Sequence, residues 1–198
     1  MRDVLVKTDV KELKIRLHRM IYPVESLGYG RRLGSWMQGC SKHCPCCISP
    51  EMKRAEQVPA VPLWRVLEQM PPLPQCDGMT ISGGEPMDQP EALLVLMDWF
   101  SHRYGDDILI YTGYEMDQLP SQYARMAAQR AAAVVAGPYQ RELDFGVGLC
   151  GSENQHLVVH RHQERYQDFE HRQRTLQPVK RAGRLLLVGI PPREGGVR

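Results

Sequence analysis

The sequence lacks any apolar run of the length a bilayer-spanning helix needs, and its opening stretch, MRDVLVKTDVKELK, has no apolar signal-peptide core. A soluble, cytoplasmic protein without a membrane partner is the expectation. It also lacks an excess of either charge: 25 lysines and arginines against 23 acidic residues leave a formal net charge of +2. A nucleic-acid partner, which calls for a basic stripe, is not expected. No internal repeat and no interdomain linker break the 198 residues, which read as one globular domain over 1–198 with enough chain to bury a real core. Cysteine is scarce outside one place, since of six only Cys76 and Cys150 lie away from residues 40–47.

That one place reads GSWMQGCSKHCPCCISP, residues 34–50, with Cys40, Cys44, Cys46 and Cys47 close together. In a reducing cytosol such a cluster points to metal or redox chemistry, and the adjacency of Cys46 and Cys47 argues against a disulfide framework.

Hydrophobic patterning sets the surroundings. Leu13, Ile15 and Leu17 alternate with polar residues as in a half-exposed strand that starts a sheet. Gly28 and Gly30 mark a turn, and residues 33–38 form a short strand that feeds the cysteine loop. Leu63, Val66, Leu67 and Met70 share one helical face, with Pro62 suited to its first turn. Strands over 79–82, 108–112 and 132–136 then alternate with helices over 91–100 and 121–130. This order predicts an α/β domain with a mostly parallel sheet, open or partly closed into a barrel, whose functional loops follow the strand C-termini. Two later strands, over 156–160 and 185–190, flank a polar stretch, 161–180, expected to be solvated and without chemistry.

The cysteine spacing admits two readings. Cys40, Cys44 and Cys47 are separated by three and then two residues, so a loop can wrap one side of a cubane and give a thiolate to each of three irons. The fourth iron then stays open to a substrate, whereas a four-cysteine ferredoxin cluster only passes electrons. The alternative is tetrahedral zinc held by all four thiols, against which stands the strain of bringing neighbouring cysteines onto one small ion. A catalytic cluster and a non-catalytic zinc or iron–sulfur binding module both remain open on spacing alone. A second motif follows one crossover later, where the strand over 79–82 runs into GGEP. Gly83 and Gly84 let backbone approach a ligand closely, and their carbonyls and the Glu85 carboxylate offer acceptors to an amine.

In order along the chain, GYGRR, QGCSKHCPCC, ISGGEP, YTGYEMDQL, AGPYQREL, GSENQHLVV and RLLLVGIPP resemble segments of the radical S-adenosylmethionine superfamily. They are most similar in pattern to the proteins that activate anaerobic ribonucleotide reductase, and they cover about residues 22–192. The resemblance implies a single radical S-adenosylmethionine domain, a partial (β/α)6-type barrel with mostly parallel strands. It implies a 4Fe–4S cluster on Cys40, Cys44 and Cys47, and S-adenosylmethionine bound by its amine at Gly83, Gly84 and Glu85. Thr112 is implied near the ribose or methionine, Asn154 and Gln155 at a later strand end, and Cys46 by the adenine through its backbone unless it is simply a small buried residue.

The implied chemistry is reductive cleavage of S-adenosylmethionine to a 5'-deoxyadenosyl radical, which abstracts hydrogen from a glycine of a partner glycyl radical enzyme such as anaerobic ribonucleotide reductase. The alternative within the same chemistry is a peptide or small-molecule substrate, but so short a chain favours an open cleft completed by a protein. With only Cys76 and Cys150 left over, no second cluster is available, and an external donor of flavodoxin type is expected. Arg31 and Arg32 of GYGRR are candidate docking residues at the mouth. The chain departs from the family at Cys46, where an aromatic residue or glycine is usual, and at Cys150, where the activases tend to carry arginine.

Overall fold

The computed structural model describes residues 11–181 and 183–193. Most of the opening stretch read for a signal core, residues 1–10, lies outside the described residues, as do the ends of the 1–198 domain span. The chain runs through β1 (Lys14–Ile15), β2 (Leu17–Val24), β3 (Arg32–Met37), β4 (Val61–Pro62), α1 (Leu63–Glu68), β5 (Gly78–Gly83) and α2 (Pro90–Tyr104). It continues through β6 (Ile108–Thr112), α3 (Gln122–Arg130), β7 (Ala133–Ala136), β8 (His156–Val159), β9 (Gln177–Arg181) and β10 (Arg184–Val188).

Six strands pair into one sheet in the order β2-β3-β5-β6-β7-β8. It is parallel from β3 to β7 and antiparallel at both edges, so the fold is α/β with a mostly parallel sheet. The alternation over 13–17 does not form one strand. Arg16 gives its N–H to the Gln89 side chain and takes a hydrogen bond from it at its carbonyl, which splits β1 from β2 and leaves β1 pairing with β4 apart from the main sheet. The closing strand, β10, also stays out of the main sheet and forms a hairpin with β9.

Successive residues on the strands face opposite layers, and the two layers differ. Leu33 and Met37 of β3, Met79 and Ile81 of β5, Ile108 and Ile110 of β6 and Val134 of β7 pack against Leu93, Leu96, Met97 and Phe100 of α2 and the alanines of α3. On the other face two smaller cores form. Leu109, Ala133 and Val135 meet Leu149, Cys150, Tyr166 and Phe169, while Ile21, Val24 and Trp36 meet Leu27, Met52 and Val188.

The polar stretch 161–180 is largely exposed, as expected, but it also anchors three side chains in the interior. Tyr166 and Phe169 are buried, Arg174 is buried, and its end enters β9. Arg172 donates to the Gly28 carbonyl at 2.8 Å, next to β2. Arg174 donates to the carbonyls of Gly148, Val147, Cys150, Gly151 and Pro191 and to Asp144. Segments near both sheet edges are thus strapped together by two guanidinium groups.

Arg32 also departs from expectation. It starts β3, is fully buried, and forms an ion pair with Asp107, which precedes β6. Its guanidinium also reaches Thr80, Met79 O and Tyr29 O, and Asp107 takes further bonds from Arg165 at 2.7 Å and Tyr166 at 2.5 Å. Burial pushes the Asp107 carboxyl up, but the Arg32 charge and these donors outweigh it and hold its pKa below the ordinary range. Arg31 is tied to Asp77 and Gln75 beside it. Both arginines sit at the N-terminal ends of the parallel strands, away from the end where the cysteine loop leaves, so neither is at the mouth.

Candidate functional site

The cysteine loop leaves the C-terminal end of β3 and is closed at its neck by backbone and one buried amide. Gly39 N–H donates to Met52 O and Cys40 N–H to Lys53 O, at 2.8 and 3.0 Å. Gln38, 1% exposed, spans the neck by donating to Glu51 O and Arg54 O. Lys53 Nζ donates to Cys44 O inside the loop at 3.0 Å. Between the closed ends the loop carries Cys40, Cys44 and Cys47 partly buried, with Cys46 and His43 exposed. Cys46 is thus not a small buried residue. Its backbone is left-handed, at φ 56°, and its thiol accepts from Arg141 at 3.4 Å.

The GGEP turn leaves β5 alongside. Gly84 N–H donates to Met37 O and Glu85 N–H to Gly39 O, so the turn is zipped to the root of the cysteine loop. A Cβ at Gly84 would lie 2.1 Å from Gly39 O, and one at Gly83, whose φ is +106°, would lie 2.5 Å from Met37 N. These glycines are required by the approach of one backbone to another, a reason beyond the ligand approach expected of them.

Glu85 is 1% exposed. Its Oε1 accepts from Met87 N–H and from the Thr112 hydroxyl at 2.7 Å, and its Oε2 accepts from Gly113 N–H at 2.7 Å. Burial nevertheless dominates these three donors and raises the carboxyl pKa to about 7. Thr112, at the end of β6, is therefore first a partner of Glu85, though it also lines the cavity.

The three strand ends enclose a cavity of about 420 Å³. Its lining brings together all four loop cysteines, Gly83, Gly84, Glu85, Thr112 and Gln155. Asn154 is not among the lining residues. It donates to Pro138 O, while Gln155 accepts from Gly151 N–H and Ser152 N–H and donates to Gly137 O, so both shape the loops after β7 and before β8. Sequence reasoning did not single out Lys42, Lys53, Tyr139, Arg141 and Arg193, which also line the cavity. Tyr139 and Arg141 belong to AGPYQREL, a segment noted for its pattern without any role for its side chains.

Among the described residues, no three His, Cys, Asp or Glu side chains converge as a lone metal ion would require. Cys40, Cys44 and Cys47 all line the cavity, and a 4Fe–4S cluster takes each thiolate on a different iron, so this donor set is compatible with a cubane that keeps one iron open. Burial, with Glu85, Asp88 and Cys44 nearby, raises the free Cys40 thiol to about 11, a preference that direct coordination of the sulfur would reverse. The volume lies in the usual range for a small-molecule site, and the Gly83–Glu85 turn forms one of its walls.

Residues 26–158 match the family described as the 4Fe-4S single cluster domain. The chain belongs to that family. A glycyl-radical enzyme activating enzyme of Haemophilus influenzae is 35% identical over 92 residues, 45% of this chain and 35% of that protein, so the chain spans about a third of that relative. The anaerobic ribonucleoside-triphosphate reductase-activating proteins of Salmonella typhimurium and Escherichia coli are each 27% identical. Those matches cover 74% and 72% of this chain and 98% and 97% of the relatives. The family match assigns a 4Fe–4S domain to the chain, and the names of these relatives, an activating enzyme and two activating proteins, describe those proteins. Among the described residues, no helix is long and apolar enough to cross a membrane.

Proposed function

We propose that this chain holds a 4Fe–4S cluster on Cys40, Cys44 and Cys47, binds S-adenosylmethionine across the GGEP turn, and activates a partner glycyl radical enzyme such as an anaerobic ribonucleotide reductase. The observation that carries the reading is that the three thiols and the Gly83–Glu85 turn open on one cavity of about 420 Å³. The 1–198 domain is read as the partial (β/α)6-type barrel of this superfamily, working in the cytoplasm. When bound, the reduced cluster supplies the electron that splits S-adenosylmethionine into methionine and a 5'-deoxyadenosyl radical, which takes a hydrogen atom from the substrate.

The chain's own residues set up that event. Gln38 and the Gly39 and Cys40 amides hold the loop neck shut, which fixes the spacing of the three thiols. Glu85, oriented by Thr112 and Gly113, presents a carboxylate for the amine. Asn154 and Gln155 act through the loops they hold, which border the cavity, and Cys46 lies at its rim near Arg141. Cys76 and Cys150 cannot form a second cluster, so the electron comes from outside, from a flavodoxin-type donor.

The glycine substrate is favoured by the names of the relatives, which are activators of glycyl-radical enzymes and of anaerobic ribonucleoside-triphosphate reductase. Anaerobic protein with reductant and S-adenosylmethionine should yield 5'-deoxyadenosine and methionine without a partner. With the partner present, electron paramagnetic resonance should report a stable glycine-centred radical on that enzyme. Adenosylhomocysteine as the main product overturns the cleavage. Stoichiometric conversion of a peptide or metabolite without a glycine radical overturns the activase assignment.

A further inference from the structure

At the rim of the cavity four side chains join the cysteine loop to the GGEP turn: Ser41, Asp88 and Tyr114, which lie outside its lining, and Lys42, which is part of it. Asp88, two residues beyond Pro86, accepts from Ser41 N–H through Oδ2 at 2.7 Å and from the Ser41 hydroxyl through Oδ1 at 2.9 Å. Its Oδ1 also accepts from Tyr114 OH at 3.0 Å, and that hydroxyl lies 3.0 Å from Ser41 Oγ. Lys42 Nζ stands 3.4 Å from the centroid of the Tyr114 ring, a close cation–π contact. Residues 41 and 42, directly after Cys40, therefore grip the same tyrosine, one through its hydroxyl and one through its face.

The clasp also closes a ring with the buried carboxylate. Asp88 N–H donates to Glu85 O, the Thr112 hydroxyl donates to Glu85 Oε1, Tyr114 N–H donates to Thr112 Oγ1, and Tyr114 OH returns to Asp88. The ring contains Glu85 Oε1 as an acceptor, and its member Asp88 holds Ser41, one residue from Cys40. Connected hydrogen bonds of this kind hold a geometry that no single member holds alone.

We propose that Asp88 is a positioning residue that fastens the cysteine loop to the S-adenosylmethionine turn, so that filling the turn alters the electronic environment of the cluster. This inference rests on the functional reading above. Asp88 has no role in binding either group. It fixes the distance between the elements that do, through Ser41 on one side and Tyr114 on the other. A role confined to stability would lower the melting temperature and leave the coupling between the two groups unchanged.

The test uses anaerobically reconstituted full-length protein and four variants, Asp88→Ala, Asp88→Asn, Ser41→Ala and Tyr114→Phe. Three quantities are read: S-adenosylmethionine affinity, the rate of iron loss to a chelator, and the change in the reduced-cluster paramagnetic resonance signal on adding S-adenosylmethionine. Asp88→Ala should take up full iron, lose it to the chelator faster, bind S-adenosylmethionine about tenfold more weakly, and show a diminished ligand-dependent change in the signal. Asp88→Asn, which keeps one acceptor oxygen, should recover part of each effect. Ser41→Ala and Tyr114→Phe each remove one hydroxyl and should move all three readouts in the same direction by less, which carries the test if Asp88→Ala does not fold. A normal wild type with wild-type coupling in the folded variants overturns this inference alone. A wild type that forms no cluster or binds no S-adenosylmethionine overturns the functional reading and this inference with it.

Discussion

The Gly39 carbonyl oxygen accepts from Glu85 N–H at 2.8 Å, and the intervening space is so small that a Cβ on Gly84 would come within 2.1 Å of that oxygen. The cysteine loop and the GGEP turn share one backbone contact. Damage to either reaches both.

Gly84→Val is therefore expected to impair cluster content and S-adenosylmethionine affinity together, because Gly39 and the neck of the loop must move to admit the side chain. Overpacking of this kind costs about 1–3 kcal/mol or more. Iron and sulfide analysis beside a binding isotherm distinguishes this outcome from a turn that serves the ligand alone, for which cluster absorption would be unchanged.

Replacing Cys40, Cys44 or Cys47 with alanine should abolish the cluster, whereas Cys46→Ala should keep about four irons and four sulfides per chain. Cys46 is exposed and meets Arg141 instead of the loop interior. Retention of zinc without sulfide in the wild type, or loss of the cluster in Cys46→Ala, would show that the ligand set is different.

The Glu85 carboxyl, raised by burial to about 7 in the fold against an ordinary value of 4.5, should make the cluster-free protein less stable as pH rises. Its contribution is complete below pH 4.5 and is lost as pH climbs through 7, because the folded state holds a proton that the unfolded state releases. The loss amounts to about 3 kcal/mol at most. Glu85→Gln should flatten this part of the stability profile, as measured by chemical denaturation at a series of pH values. An unchanged slope would place the titration elsewhere.

Asp107→Ala should lower stability by about 3–5 kcal/mol, since it strands the buried Arg32 charge. The melting temperature should fall by roughly 10 °C. Arg31→Ala removes one hydrogen bond to Gln75 and a cation–π contact with Tyr22, both at the surface, and should change stability by about 1 kcal/mol. Neither change should alter S-adenosylmethionine affinity of the folded fraction or partner activation, because both residues lie at the opposite ends of the strands. A docking defect in Arg31→Ala would refute that placement.

Periodicity made the parallel centre of the sheet legible. Residues 79–82, MTIS, alternate apolar and hydroxyl side chains, residues 108–112, ILIYT, form a short apolar run, and β5 and β6 occupy those positions. It misled over 13–17 because the Gln89 side chain, distant in sequence, accepts from Arg16 N–H and donates to Arg16 O, and so decides where β1 ends. Over 161–180 it gave a largely exposed stretch correctly but missed the three side chains that stretch buries. Arginine and tyrosine score as polar, yet Arg174 and Tyr166 are buried because carbonyls and Asp107 from other segments satisfy their donors.

What the sequence by itself determined is the chemistry on offer: three thiols at a spacing a loop can wrap around a cubane, a Gly-Gly-Glu turn one crossover later, and too few cysteines for a second cluster. Those are local facts, set by spacing along a few residues. Tertiary structure alone decided that Gly84 must be bare because Gly39 lies against it, that Thr112 serves Glu85, that Arg32 is a buried counter-ion far from the mouth, and that Asp88 grips Ser41. Each depends on which strands become neighbours, a property set by burial of the whole apolar pattern and carried by no single segment.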